Sequence, residues 1–412
     1  MSLVRPFAGL RPAKQQAEAV IAPPYDVLNT EEARERAEGK PWSFLHISKP
    51  EIDLPPGTDP YDASVYAKGA ENLAKMIQEG ILIRDPKPCY YIYRLNMKGH
   101  IQVGLVAAAS VADYDTNRIR KHEFTRPAKE DDRVRQIEAL NAQTGPVFLV
   151  YPSSQVVDEI LLKITEGKPE YDVKADDGVQ HTIWLLNDAN QIDRLTQAFD
   201  AMPNLYVADG HHRSAAASRV AAARKKANSQ SSGDENYNYF LSVIFPHHQM
   251  KIMDYNRVIK DLHGLSEEDF IKRVEENFDV KKMGSSVKPN ETGEFGMYLK
   301  NRWYKLRIKS GLVPADPVGK LDVSVLAKYL IEPVLGIANP RTDERIDFVG
   351  GIRGLGELEK RVNSGEMKVA FSLYATRMEE LMAVADSGEV MPPKSTWFEP
   401  KLADGLVSHQ LD

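Results

Sequence analysis

Cysteine is nearly absent: the 412 residues contain one, Cys89. A single thiol excludes an intramolecular disulfide and any cysteine-rich zinc site, and it points to a reducing compartment. Long apolar runs are absent as well. No uninterrupted stretch reaches membrane-spanning length, and the opening Met-Ser-Leu-Val-Arg-Pro-Phe lacks the apolar segment of a secretion signal. The expectation is a cytoplasmic chain with no membrane partner. Positive charge is not in excess either. A net charge of -6 and a pI near 6.0 argue against broad nucleic-acid binding through the surface, so nucleic acid is not an expected partner. The P-loop pattern GxxxxGK[ST] is missing. The glycines of Val349-Gly350-Gly351-Ile352-Arg353-Gly354-Leu355-Gly356 fit neither that spacing nor GxGxxG after a strand, and they read as a tight turn. There is no internal repeat, heptad or low-complexity tract.

What remains is the composition of a soluble globular protein, 42% hydrophobic and 27% charged. Its length suggests two or three domains. Helical spacing of Val65, Ala70, Leu73, Ala74 and Ile77 predicts a helix over 62–79. Tyr90–Leu95 and Ile101–Val106 flank Met97-Lys98-Gly99 as a β-hairpin, and a second hairpin is expected around Asn301-Arg302. Lys225–Glu235, small and polar, is the best linker candidate. These elements predict an α+β fold of mixed sheets with flanking helices. The expected division is an N-terminal region 1–115 with the first hairpin, a central region 116–232, and a C-terminal α+β region 233–412.

The stretch that carries chemistry is Leu205-Tyr-Val-Ala-Asp-Gly-His-His-Arg-Ser-Ala-Ala216. An apolar strand ends at Asp209-Gly210 and an alanine-rich helix begins, leaving His211, His212 and Arg213 at its N-terminus. Unpaired N–H groups and the positive end of a helix dipole suit an anion, and two imidazoles with a guanidinium suit a phosphate. A carboxylate in that place needs another task. Asp209 suits metal binding, orientation of a histidine or proton acceptance, and it equally suits a plain helix cap.

Three other segments contain candidate groups. Ile119–Arg133 mixes both signs around His122-Glu123, with Arg126 and Pro127 following; it reads as a solvated face or as acid/base chemistry with charge neutralisation. Proline-rich loops hold Arg5 and then Tyr25-Asp26, which suit substrate contact or simple packing of an arm. Near the C-terminus Lys394, Ser395, Thr396 and Lys401 sit among prolines that fix the backbone, suited to an anion or to a tail clamped by Trp397 and Phe398. The pair His247-His248 reads as structural, since neighbours on a strand face opposite ways.

Arg5–Pro12, Ala22–Val27, His122–Pro127, Ala208–Arg213, Leu321–Ser324 and Met391–Thr396 together resemble a prokaryotic family called domain of unknown function 1015. The strand, Asp-Gly-His-His-Arg, helix segment is similar to the phosphate-binding box of the ParB and sulfiredoxin superfamily, especially of its free-serine kinases. That resemblance implies a ParB/sulfiredoxin-like core, a catalytic Asp209, and phosphate ligands in His212 and Arg213. Glu123 is nominated as a second catalytic carboxylate on chemistry alone, with His122 beside it. The expectation is therefore phosphoryl transfer to a small hydroxyl-bearing metabolite, with serine the best guess. His211, His212, Arg213, Lys394, Ser395 and Thr396 would meet the phosphate, and Arg5, Tyr25, Asp26 and Arg126 the substrate. Mg²⁺ at Asp209 and a donor among ATP, ADP and pyrophosphate complete the set. Phosphomonoester hydrolysis and a non-enzymatic nucleotide- or ligand-binding regulator are the alternatives.

Overall fold

The hairpin anchors the first sheet. Strand β1 (Tyr90–Met97) turns through Lys98 and Gly99, both at positive φ (52° and 88°), into β2 (His100–Ser110). Two such residues match the right-handed twist of the strands they join. The computed structural model describes residues 2–412, and the chain forms two units, one of residues 1–250 with 400–412 and the other of 251–399.

In the first unit six further strands extend the hairpin: β3 (Ile119–Arg120), β4 (Val147–Tyr151), β5 (Tyr171–Lys174), β6 (Gln180–Leu186), β7 (Leu205–Asp209) and β8 (Tyr239–Pro246). Their order is β3-β7-β4-β8-β2-β1-β6-β5, with Val4–Arg5 added along β2. The sheet is mixed. Strands β3 and β7 run parallel, as do β4 and β8, while β7 against β4 is antiparallel. One face buries alternate residues such as Tyr90, Ile92, Leu105, Ala107, Val147, Leu149, Leu205 and Val207. Onto it packs helix α2 (His211–Ala227), through Ala216, Ala217, Val220 and Ala221. These short side chains let the helix approach the sheet closely. Helix α1 (Pro127–Leu140) starts at Pro127, whose missing N–H costs nothing in a first turn.

The C-terminal residues return to this unit. Asp404 and Ala22 exchange backbone hydrogen bonds, as do Ser408 and Leu10, and His409–Gln410 pairs with Ala142–Gln143. Cys89 is buried, its backbone bridged to Phe7 and its thiol pushed up to about 11 by burial.

The second unit contains a six-stranded sheet in which every pairing is antiparallel. Its strands are β9 (Tyr255–Ile259), β10 (Phe278–Met283), β11 (Glu294–Leu299), β12 (Arg302–Ile308), β13 (Ile346–Gly350) and β14 (Val369–Leu373), ordered β10-β12-β11-β14-β9-β13. The β11–β12 hairpin turns through Lys300 and Asn301, again both at positive φ.

The fold is α+β with mixed sheets and flanking helices. Its residues group differently from the three-part division at 115 and 232. Strand β8, beyond position 232, lies between β2 and β4 in one sheet, so neither boundary separates compact units. The polar segment between α2 and β8 therefore joins two elements of the same unit. Its composition signals exposure, which a surface loop and a linker share.

Candidate functional site

Strand β7 delivers Asp209 to the edge of the first sheet, and the chain then turns through Gly210 into α2. Gly210 has φ 96°, a left-handed conformation open to glycine, and a Cβ there would lie 3.3 Å from the Val147 Cα and from Arg213 Nε. No side chain caps α2 and no acid lies in its first turn. The N–H groups of His211 and His212 thus stand at an uncompensated positive helix end.

Asp209 does not cap the helix. One of its oxygens accepts the Gly210 N–H at 2.8 Å and the other meets Lys401 Nζ at 3.2 Å. Burial alone would raise this carboxyl, but the charges of Lys401 and Arg213 overcome it and hold the group well below the usual carboxylate range. Asp209 is thus a fixed negative charge and a weak proton acceptor. This donor set does not suit Mg²⁺, which demands several oxygen ligands in octahedral array: the single carboxylate already has an ammonium on one oxygen and a backbone donor on the other.

Arg213 is nearly buried. Its Nη1 donates to the Pro146 carbonyl and its Nη2 lies 3.5 Å from Asp26 Oδ2. Burial opposes its charge, yet Asp26 and Asp209 keep it firmly protonated. Asp26 is the exposed end of this ion pair. Tyr25 is half-buried under the Arg133 guanidinium, 3.9 Å from its ring centroid, with its hydroxyl pushed up to about 12 by burial.

The two histidines differ. His212 Nε2 accepts the backbone N–H of Arg126 at 3.1 Å, which ties the start of α1 to the start of α2. His211 is buried against His122, ring centroids 4.4 Å apart and planes near perpendicular. Burial lowers all three imidazoles, His122 to about 4. They are neutral at pH 7, so fixed positive charge here comes from Lys401, Arg213 and Arg126. Glu123 is half-exposed, its Oε2 4.0 Å from His211 Nδ1.

The structure thus brings His122, Glu123, Arg126, Asp26, Tyr25 and the 209–213 segment to one edge of the first sheet. Arg5 has a different environment: its guanidinium donates to the Asp234 carbonyl and Asn236 Oδ1 and stacks on Tyr239 at 3.7 Å. Lys394, Ser395 and Thr396 belong to the second unit. There Arg257 donates to the Lys394 carbonyl, Thr376 to the Ser395 carbonyl, and Ser395 Oγ to the Pro392 carbonyl. His247 and His248 lie on a 3₁₀ turn after β8, where each ring takes a bond from Ser153.

Two residues of the site have little or no sequence signal. Lys401 stands among the proline-flanked cations with nothing to set it apart from them. Asp404 has none, since Ala-Asp-Gly reads as a turn. Asp404 is buried with Arg133, Arg213, Tyr25 and Thr144 around a cavity of about 30 Å³, room for a water or two. Its Oδ1 has no hydrogen-bond partner, and burial pushes the carboxyl up to about 7.

The family model described as "Protein of unknown function (DUF1015)" matches residues 4–324. No curated protein matches the chain. Similar solved structures include a free serine kinase in complex with AMP, at 14% identity over 71% of this chain and 86% of that one, with a TM-score of 0.36. Others are a conserved hypothetical protein from Pyrococcus furiosus (15% identity, 73% and 93% covered, TM-score 0.35) and SbnI with a C-terminal truncation from Staphylococcus aureus (12%, 72% and 84%, 0.37). Likeness at this level says nothing of the site's chemistry. Among the described residues no helix is long and apolar enough to cross a membrane.

Proposed function

The chain belongs to the DUF1015 family, and we propose that it transfers a phosphoryl group from a nucleotide or pyrophosphate to a small hydroxyl-bearing metabolite, free serine being the first acceptor to test. The observation that carries this reading is the convergence of Lys401, Arg213 and the uncapped first turn of α2 around Asp209. Two permanent cations and a helix N-terminus are suited to the three equatorial oxygens of a transferring phosphoryl group, where charge must be neutralised with little reorganisation.

Asp209 positions Lys401, and its depressed protonation suits that role better than proton acceptance. Glu123 is the carboxylate left for the proton. In the proposed step the acceptor hydroxyl oxygen forms a bond to phosphorus as the donor's P–O bond breaks, and the hydroxyl proton passes to Glu123. His212 and Arg126 hold the two helix starts together at the rim, and Asp26 with Tyr25 buttresses Arg213. Arg5, held by the Asp234 carbonyl, Asn236 and Tyr239, braces its own segment. No step is drawn through Mg²⁺.

Incubation of the protein with serine and each of ATP, ADP and pyrophosphate, followed by phosphorus NMR, tests the proposal. Appearance of phosphoserine is the expected result. Release of phosphate from added phosphoserine without transfer would make the protein a hydrolase. No turnover with any acceptor, together with tight donor binding, would make it a sensor.

A further inference from the structure

We propose that His122, Glu123 and His211 form a binding site for one divalent ion of the borderline class, such as Zn²⁺. Nothing in the phosphoryl-transfer reading requires this ion, which would take up the carboxylate that reading uses for the proton, and the site stands or falls on its own measurement. The three residues come together by topology. His122 and Glu123 follow β3 after Lys121, His211 follows β7 after Gly210, and the two strands run parallel with Leu205 opposite Ile119 and Tyr206 opposite Arg120. Parallel neighbours release their chains at the same edge, so residues about 90 apart in sequence meet there.

The ligand atoms these side chains offer all lie within 4.8 Å of one another, and His211 Nδ1 is 4.0 Å from Glu123 Oε2. Ligands bound to one tetrahedral ion at about 2.0–2.2 Å sit roughly 3.3–3.5 Å apart. A contraction of about 1 Å closes the difference, and the Glu123 side chain is 46% exposed.

The second observation is a ring nitrogen. His122 is 2% exposed, and its Nδ1 has no hydrogen-bond partner. A buried acceptor left unmade costs about 1–3 kcal/mol, and such a group in a native interior calls for an explanation. On its other side the imidazole is bonded to the Val207 carbonyl. A backbone carbonyl that takes the proton of one ring nitrogen and leaves the other as a lone pair is the outer-shell arrangement of metal-bound histidines. His211 is held away from this role only by a long contact, 3.5 Å from the His122 backbone N–H to its Nε2.

Two imidazoles and one carboxylate select the metal class. Imidazole suits zinc, iron, nickel and copper, whereas magnesium and calcium take oxygen. Three protein ligands leave a tetrahedral ion one open position, which a water or a substrate oxygen fills. Such an ion would add fixed positive charge beside Lys401 and Arg213.

The test uses the full chain, stripped with a chelator and dialysed, then titrated with Zn²⁺ by calorimetry and with Co²⁺ by visible absorption. One ion per chain is expected, with a Co²⁺ band of four-coordinate type. E123Q, at a half-exposed position that leaves the fold undisturbed, should weaken Zn²⁺ at least tenfold and alter the Co²⁺ spectrum; H211Q and H122Q should abolish binding. The double variant H247Q/H248Q should bind as the natural chain does. If E123Q binds Zn²⁺ and Co²⁺ unchanged, or if the H247Q/H248Q variant is the one that loses the ion, the proposed site is wrong. Circular dichroism separates loss of binding from loss of fold, and should H122Q unfold, E123Q and H211Q decide.

Discussion

Each unit contains a helix that starts on a left-handed glycine with no capping side chain, α2 at Gly210 and the helix Leu355–Asn363 at Gly354. By sequence alone the glycines around Gly354 fit no phosphate-loop spacing and read as a tight turn, whereas Asp209–Arg213 reads as an anion site. The structure adds physical differences between the two starts. A Cβ at Gly210 would meet the Val147 backbone and Arg213, whereas around Gly354 there is nothing within 4 Å. The first turn of 355–363 contains Glu357, which answers the helix dipole locally, while α2 has no acid there. A glycine before a helix provides a turn. What makes an anion site is charge brought from elsewhere in the chain to a helix end that has no answer of its own.

Removing one positive charge at each helix start sharpens this contrast most. Lys401→Met should cut turnover, or donor affinity where no turnover is seen, by roughly 10²–10³-fold, the scale of losing one preorganised donor to a transition state. Arg353→Met, beside Gly354, should change neither. Calorimetry with ADP and pyrophosphate on both variants reads the difference directly.

The next effect concerns two buried aspartates, one per unit. Asp404 and Asp322 are both raised to about 7, chiefly by burial; Arg213 opposes the rise at Asp404, and Glu380 adds to it at Asp322. An unfolded aspartate titrates near 3.9. Between those values the folded chain holds the proton and the unfolded chain does not, so stability falls as pH climbs from about 4 through about 7 and is level above. Asp404→Asn and Asp322→Asn should each remove their part of that fall, roughly 4 kcal/mol at pH 8, seen as a higher urea midpoint at pH 8 and little change at pH 4. Equal pH slopes in natural and variant chains would show that neither carboxyl is held protonated.

Alanine at the two glycines gives a smaller contrast. Both substitutions place a Cβ at positive φ, at a cost of about 1–2 kcal/mol. Gly210→Ala adds close approach to Val147 and Arg213, so it should lower the melting temperature more than Gly354→Ala and weaken donor binding as well. The weakest expected effect is that of Lys394→Ala. Its ammonium lies over the Tyr255 ring at 5.6 Å in the second unit, and its loss should leave donor affinity by calorimetry unchanged.

Local elements are legible because their signals are local. The β1–β2 turn rests on Lys98-Gly99, and the helix over Ala63–Gln78 rests on the spacing of its apolar face and on Asp62, which caps it. The 209–213 junction is readable for the same reason. Pairings between distant strands leave no trace: nothing in Tyr239–Pro246 announces that it lies between β2 and β4. The π turn at Ala327–Ile331 has no such local signal. Among site residues the histidines stand out by type, yet burial leaves them uncharged, and burial depends on the whole sheet. Lys401 resembles any cation between prolines until the return of the C-terminal residues sets it beside Asp209.

That return has a consequence for how the protein comes into being. The second unit, 251–399, is threaded into the chain of the first, which is left waiting for residues 400–412. During vectorial synthesis the nascent first unit has its sheet, its glycine turn and Arg213, but Asp209 has no Lys401 and Arg213 has no Asp404 opposite it. Domains emerging from the ribosome fold largely as they appear. Residues 400–412 include the lysine that neutralises Asp209, so a product stalled or cut before them would present a carboxylate without its ammonium partner.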